Sequence, residues 1–162
     1  MKKKVAINGF GRIGRLVYRA FLERLNEFSN QYEISYINDL ADIDSNIHLL
    51  KYDSIHGPLN KEVNKISNEQ FSIGENTVTV TSEKNPIDLK WKDKKVDIIL
   101  ECTGVFASKE KAMSHIESGA SKVIVSAPCS GADITVVQGV NNKNINIDCL
   151  LYTSPSPRDT NP

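Results

Sequence analysis

The segment Gly9-Phe-Gly-Arg-Ile-Gly14 constrains the fold of this chain more than any other. It follows an apolar-leaning run, Val5-Ala-Ile-Asn8, and leads directly into a stretch of helical periodicity. Strand, glycine turn and helix in that order open a βαβ unit. Glycine at 9 permits the tight strand-to-helix turn. Glycine at 11 leaves the backbone bare where a pyrophosphate approaches, and glycine at 14 lets the helix pack close to the strand. The free N–H groups at the helix start then face the phosphates. Glycine loops are common and most bind nothing, so the flanking strand and helix carry this reading as much as the glycines do. The segment points to dinucleotide binding.

The rest of the pattern agrees with that start. Apolar residues recur at Ile13, Leu16, Val17, Ala20, Phe21, Leu25 and Phe28, with Arg15, Arg19, Glu23 and Asn26 on the other side. Ile34-Ser-Tyr-Ile37 reads as a second strand ending at Asn38-Asp39, and a short helix is expected over Ser45–Leu50, followed by a loop over Lys51–Pro58. Phe71–Ile73 and Thr77–Val80 alternate around Gly74-Glu-Asn76, which predicts a hairpin. Lys95–Leu100 is a nearly continuous apolar run of the kind buried on both faces of a parallel sheet. Ser108 is placed to cap a helix ending at Gly119, and Lys122–Ser126 and Ile134–Val137 read as further strands. Strands alternating with helices predict a Rossmann-type, doubly wound α/β fold: a mostly parallel sheet with helices on both faces.

Asp39 lies at the end of the second strand, 25 residues after Gly14, against an expected spacing of roughly 20. A carboxylate there accepts the hydroxyls of an adenosine ribose and repels a 2′-phosphate. Leu40 offers no hydrogen bond to a phosphate and no arginine follows closely, so NAD is favoured over NADP. Thr103 and Gly104 follow a buried strand, where backbone can approach a cofactor, and Ser126 ends the next strand as a candidate for the nicotinamide side. Phe106 either flanks the adenine or fills the core. His48 is expected to be structural, His56 a surface loop residue, His115 outward-facing on its helix, and Cys102 a packing thiol. No histidine has a nucleophile or metal-ligand partner at suitable spacing.

Composition narrows the class. Twenty lysines and arginines against twenty aspartates and glutamates give no polyanion-binding bias, so no nucleic-acid partner is expected. Cys102, Cys129 and Cys149 form no CxxC pair, which fits a reducing compartment, and no apolar stretch has signal or membrane length. A cytoplasmic protein without membrane contact is expected.

Five blocks then carry a family resemblance: Asn8–Arg15, Ile37–Leu40, Leu50–Gly57, Glu101–Phe106 and Val125–Pro128, with Gly139-Val-Asn141 in support. In order and spacing they resemble phosphorylating glyceraldehyde-3-phosphate dehydrogenases, over residues 1 to about 148. The resemblance implies that Asn8, Gly9, Gly11 and Gly14 belong to the cofactor site. It further implies that Arg12 and Ile13 meet the pyrophosphate, Asp39 the ribose, and Ser126 the nicotinamide end. Lys84 stands where that family usually has an arginine near the adenine. It implies, too, that the intact parent is a homotetramer of glycolysis whose chemistry needs a cysteine thiolate in a Ser-Cys-Thr-Thr-Asn block and a histidine in a second domain.

Here the block is replaced by Asp148-Cys-Leu-Leu-Tyr-Thr153, and no histidine follows His115. Cys149 without its flanking residues is therefore not expected to be the nucleophile, and no catalytic residue is assigned. The proline-rich stretch after it shows no period. The expected organisation is an NAD-binding domain over 1–148, an aberrant or disordered tail over 149–162 that looks joined on from foreign sequence, and no catalytic domain. Two alternatives stand beside this: a fragment of erythrose-4-phosphate dehydrogenase, and a stand-alone NAD-binding module.

Overall fold

The computed structural model describes residues 1–154. Its first strand, β1 (Lys3–Asn8), shows why a single short segment can organise two layers. Side chains alternate across a strand, so Val5 and Ile7 join one core while Ala6 joins another on the opposite face. The first core takes in Phe10, Tyr18 and Leu22 from the glycine loop and from α1 (Arg12–Glu23), with Ile43 and Leu50 from α3 (Ile43–Lys51). The second takes in Leu89, Trp91 and Ala112 from helical segments on the other side, with Val96 from a connecting loop.

After α1 come α2 (Leu25–Phe28), β2 (Tyr32–Asn38), α3 (Ile43–Lys51), the two-residue strands β3 (Tyr52–Asp53) and β4 (Gly57–Pro58), β5 (Val63–Lys65), β6 (Gln70–Ile73) and β7 (Asn76–Thr81). The chain then crosses through a 3-10 turn at Pro86–Leu89 into α4 (Trp91–Lys94) and β8 (Ile98–Glu101). It continues with α5 (Lys109–Ala112), α6 (Ser114–Glu117), β9 (Lys122–Val125), β10 (Ile134–Thr135) and β11 (Leu151–Thr153).

Nine strands form one sheet in the order β10-β11-β9-β8-β1-β2-β7-β6-β5. Pairing is parallel from β10 to β7 and antiparallel only across β7, β6 and β5. From β1 the chain moves outward through β2 to β7, then returns to β8 on the other flank of β1. That reversal leaves a crevice outside the carboxyl ends of β1, β2 and β8, the place where open α/β sheets bind ligands.

Several local expectations shift. The 70–81 hairpin forms as predicted, but the loop over Lys51–Pro58 contains the small β3–β4 hairpin. The expected strand at Lys95 begins only at Ile98, because Lys95 adopts a left-handed conformation (φ 55°) that ends α4. Arg19 is buried rather than on the polar side of α1. Its guanidinium donates to the carbonyls of Leu50 (3.1 Å) and Lys51 (3.3 Å) at the end of α3, and to that of Gly57 (2.8 Å) in β4.

The largest departure lies beyond residue 148. Leu151–Thr153, expected to be irregular, form a buried parallel strand between β9 and β10, held at its start by Asp133, whose carboxylate accepts from the N–H groups of Leu150 and Leu151 (2.9 Å each). Three apolar or β-branched residues suffice for that slot, whatever follows them. Residues 155–162 of the expected tail lie outside the described residues.

Candidate functional site

The strand ends are stitched together by backbone bonds. Gly9 N donates to Asn38 O (2.8 Å), Cys102 N to Asn8 O (2.7 Å), Asp39 N to Thr81 O (2.9 Å) and Ser126 N to Glu101 O (3.0 Å). These bonds bring the ends of β1, β2, β7, β8 and β9 to one edge. A cleft of about 410 Å³ opens there, lined by Asn8, Gly9, Gly11, Asn38, Asp39 and Lys84, and by Cys102, Thr103, Val105 and Phe106 across from them. That volume is in the range of cofactor sites.

The glycine loop obeys the roles its spacing implies. Gly9 sits at φ +90°, and a Cβ on it would lie 2.7 Å from Thr103 N. A Cβ on Gly14 would fall 2.1 Å from the carbonyl oxygen of Gly9. Neither position admits a side chain. A Cβ on Gly11 would meet nothing within 4 Å, so its bareness serves whatever approaches from the cleft. Gly11 also caps α1 with no side-chain hydrogen bond, and the first turn carries no acidic residue. The orphan N–H groups of Arg12, Ile13 and Gly14 are left for an anion.

Asp39 is fixed by the loop it faces. Its Oδ2 accepts from Phe10 N (2.7 Å) and its Oδ1 from Ala41 N (2.9 Å). A carboxylate has about four acceptor positions, so each oxygen keeps one for a ribose hydroxyl. The bare cradle at Gly11 and this half-free carboxylate fit the pyrophosphate and ribose of a dinucleotide.

Of the residues expected at the site, Asn8, Gly9, Gly11, Asp39, Lys84 and Thr103 line the cleft. Arg12 and Ile13, exposed at the start of α1, and Gly104 (φ +75°) and Ser126 are not among the lining residues. Asn8 reaches the cleft only by its backbone side: its Nδ2 donates to Glu101 Oε2 (2.6 Å) and its Oδ1 accepts from Asn38 Nδ2 (2.7 Å). Sequence reasoning missed Asn38, whose Oδ1 accepts from Thr81 Oγ1 (3.0 Å) and Glu83 N (2.8 Å). An asparagine closing an apolar strand immediately before Asp39 is the signal that was available.

The two cysteines near the expected chemistry sit in different settings. Burial pushes the Cys102 thiol up to about 11; a hydrogen bond with the Ser126 side chain pulls it down and the Glu101 charge adds to the rise. Cys149 precedes β11, at the amino end of a parallel strand, which is the opposite end of the sheet from the cleft. His115 corrects the sequence expectation outright: it is wholly buried rather than outward-facing.

A larger cleft of about 670 Å³ lies at the other end of the sheet, lined by Lys2, Glu33, Lys61, Glu62 and Glu75 among others. Charges of both signs are mixed there with no common focus. The carboxyl-end cleft is the site that the topology builds.

Sheet order, crevice and glycine loop together define a dinucleotide-binding domain of the open α/β class. The chain matches the NAD binding domain of glyceraldehyde 3-phosphate dehydrogenase over residues 3–109, and it belongs to that family. It is 45% identical over 156 residues to glyceraldehyde-3-phosphate dehydrogenase of Xanthobacter flavus, covering 96% of this chain and 45% of that protein. To the enzyme of the same name from Thermotoga maritima it is 48% identical over 158 residues, 94% of this chain and 46% of that protein. The corresponding enzyme of Cereibacter sphaeroides is 44% identical over 156 residues. The chain therefore spans under half the length of the curated relatives it matches. NAD is the cofactor of the domain that it matches.

Proposed function

We propose that this chain is the NAD-holding part of a phosphorylating glyceraldehyde-3-phosphate dehydrogenase, and that Asn8, Gly9, Gly11, Arg12, Ile13, Gly14, Asp39, Lys84, Thr103, Gly104 and Ser126 make up its cofactor site. The observation that carries the reading is Asp39, held by Phe10 N and Ala41 N at the end of β2 beside an uncapped helix start. The nicotinamide ring supplies hydride acceptance when NAD is bound. The residues of this chain supply orientation: α1 draws the pyrophosphate, Asp39 takes the ribose hydroxyls, and Lys84 borders the adenine end.

The aldehyde chemistry belongs to residues that the described part of this chain does not provide, because Cys102 stays a thiol and Cys149 is at the wrong end. Exposed Val137, Val140, Ile145 and Ile147 support a surface that meets the remainder of a longer enzyme. We infer further that the intact parent is a homotetramer of the cytoplasm without a nucleic-acid partner. The balanced charge and three free cysteines support that setting. Among the described residues no helix is long and apolar enough to cross a membrane.

Calorimetric titration tests the cofactor reading. The chain binds NAD, binds NADP at least tenfold more weakly, and loses that preference in Asp39→Asn, where NAD affinity falls about tenfold (about 1.4 kcal/mol). Equal affinity for the two cofactors in the unmodified chain contradicts the role given to Asp39.

A further inference from the structure

Behind the cleft lies a group of buried polar side chains that cofactor binding does not itself explain. Glu101, at the end of β8, is 1% exposed, and His115 of α6 is 0% exposed. His115 Nε2 lies 2.9 Å from Glu101 Oε2, and on its far side Trp91 Nε1 donates to His115 Nδ1 (3.0 Å). An indole N–H can only donate, so Nδ1 must accept and the ring proton sits on Nε2, aimed at the carboxylate. Trp91 itself is fixed by its backbone N–H, which donates to Ser118 Oγ (3.1 Å).

The carboxylate of Glu101 is thus saturated. Oε2 accepts from His115 and from Asn8 Nδ2 (2.6 Å), and Oε1 accepts from Thr103 N (2.8 Å) and from Thr103 Oγ1. Thr103 Oγ1 in turn accepts from Val105 N (3.1 Å). The loop after β8 is therefore held by its glutamate, and that loop is the wall of the cleft that leaves Gly9 no room for a Cβ. Remove the histidine, and Glu101 has lost one of the four donors that fix its orientation, in a place where no water replaces it cheaply.

We propose that His115 is a positioning residue for the dinucleotide cleft: it orients Glu101, and through Glu101 the Thr103–Val105 wall, without touching the ligand. The proposal rests on the cleft being the NAD site, and it assigns a role to a histidine that touches neither cofactor nor substrate. It predicts a local effect. Thr103, Val105 and Phe106 line the same cleft as Asp39 and Lys84, so a loosened wall weakens NAD and AMP alike and leaves the sheet away from the cleft unchanged.

The test uses the full 162-residue chain with His115→Leu, His115→Gln and Trp91→Phe. Two readouts are taken at a temperature where each variant is folded by circular dichroism: affinity for NAD and for AMP, and amide exchange without ligand. In His115→Leu, the affinities for NAD and AMP each fall about tenfold, and the Thr103 and Val105 amides exchange at least tenfold faster. Amides of β6 and β7 keep their rates. His115→Gln, which can still accept from Trp91 and donate to Glu101, recovers most of both effects. Trp91→Phe, which frees the tautomer, lies between the two and serves alone if His115→Leu does not fold.

Unchanged NAD and AMP affinities, uniform acceleration of exchange, or unchanged loop amides overturn the proposal and leave His115 a packing residue. The two readings separate cleanly. If the unmodified chain binds no NAD while the loop amides respond to His115→Leu, the cofactor assignment fails and the positioning of the wall stands.

Discussion

The same three central strands end in two different ways. At their amino ends β1 and its neighbours are tied by exposed ion pairs: Lys3 Nζ to Asp97 Oδ1 at 3.0 Å and Lys4 Nζ to Glu33 Oε1 at 3.9 Å. At their carboxyl ends Asn8, Asn38 and Glu101 are 2%, 5% and 1% exposed and bond to one another or to His115. Exposed pairs are easily replaced and contribute little. Buried polar groups are costly unless every member is satisfied, and here they rigidify one edge of the sheet. A fold needing only stability would have closed both ends with apolar side chains. The polar end carries the proposed NAD site.

Substitutions at the two ends sharpen this contrast. Glu101→Leu removes the acceptor for Asn8, His115 and Thr103 together and strands buried donors, so unfolding free energy drops by about 4 kcal/mol in a denaturant titration. Gly14→Ala forces a Cβ against the Gly9 carbonyl. It lowers stability by about 3 kcal/mol by overpacking and weakens NAD binding through the displaced loop. At the amino end, Asp97→Asn changes stability by less than about 1 kcal/mol.

The Asp97 effect also has a defined pH dependence. Burial works against the Asp97 carboxylate, but Lys4 N–H, the Lys3 hydrogen bond and both lysine charges outweigh it and hold it below its ordinary value. A depressed folded value means stability that is present above about pH 4 and is lost as pH falls through the folded value. The difference between Asp97→Asn and the unmodified chain therefore shrinks on acidification. A larger effect at the amino end than at Glu101 breaks the comparison.

The legible parts of the sequence were those whose physics is local. The glycine loop, the 70–81 hairpin and Asp39 were readable because turn chemistry and period-2 alternation act over a few residues. The Glu101–His115–Trp91 contact spans 14 and 24 residues, and nothing within α6 announces it. One hint was present: His115 falls three positions after Ala112, on the same stripe as buried helix residues, which argues for an inward ring. Arg19 hid for a similar reason, since its partners are carbonyls of a distant helix end and leave no mark in composition. Leu151–Thr153 were misread because proline and serine next to them outweighed three residues that fit a waiting slot between β9 and β10.

The most direct test of the central claim maps NAD onto the chain by amide chemical-shift perturbation. The account predicts that shifts cluster at Gly9, Gly11, Arg12, Ile13, Asp39 and Thr103, while the amino-end cleft around Lys2, Glu33 and Glu75 stays unchanged. Perturbations centred on that second cleft, or spread evenly over both ends of the sheet, contradict it.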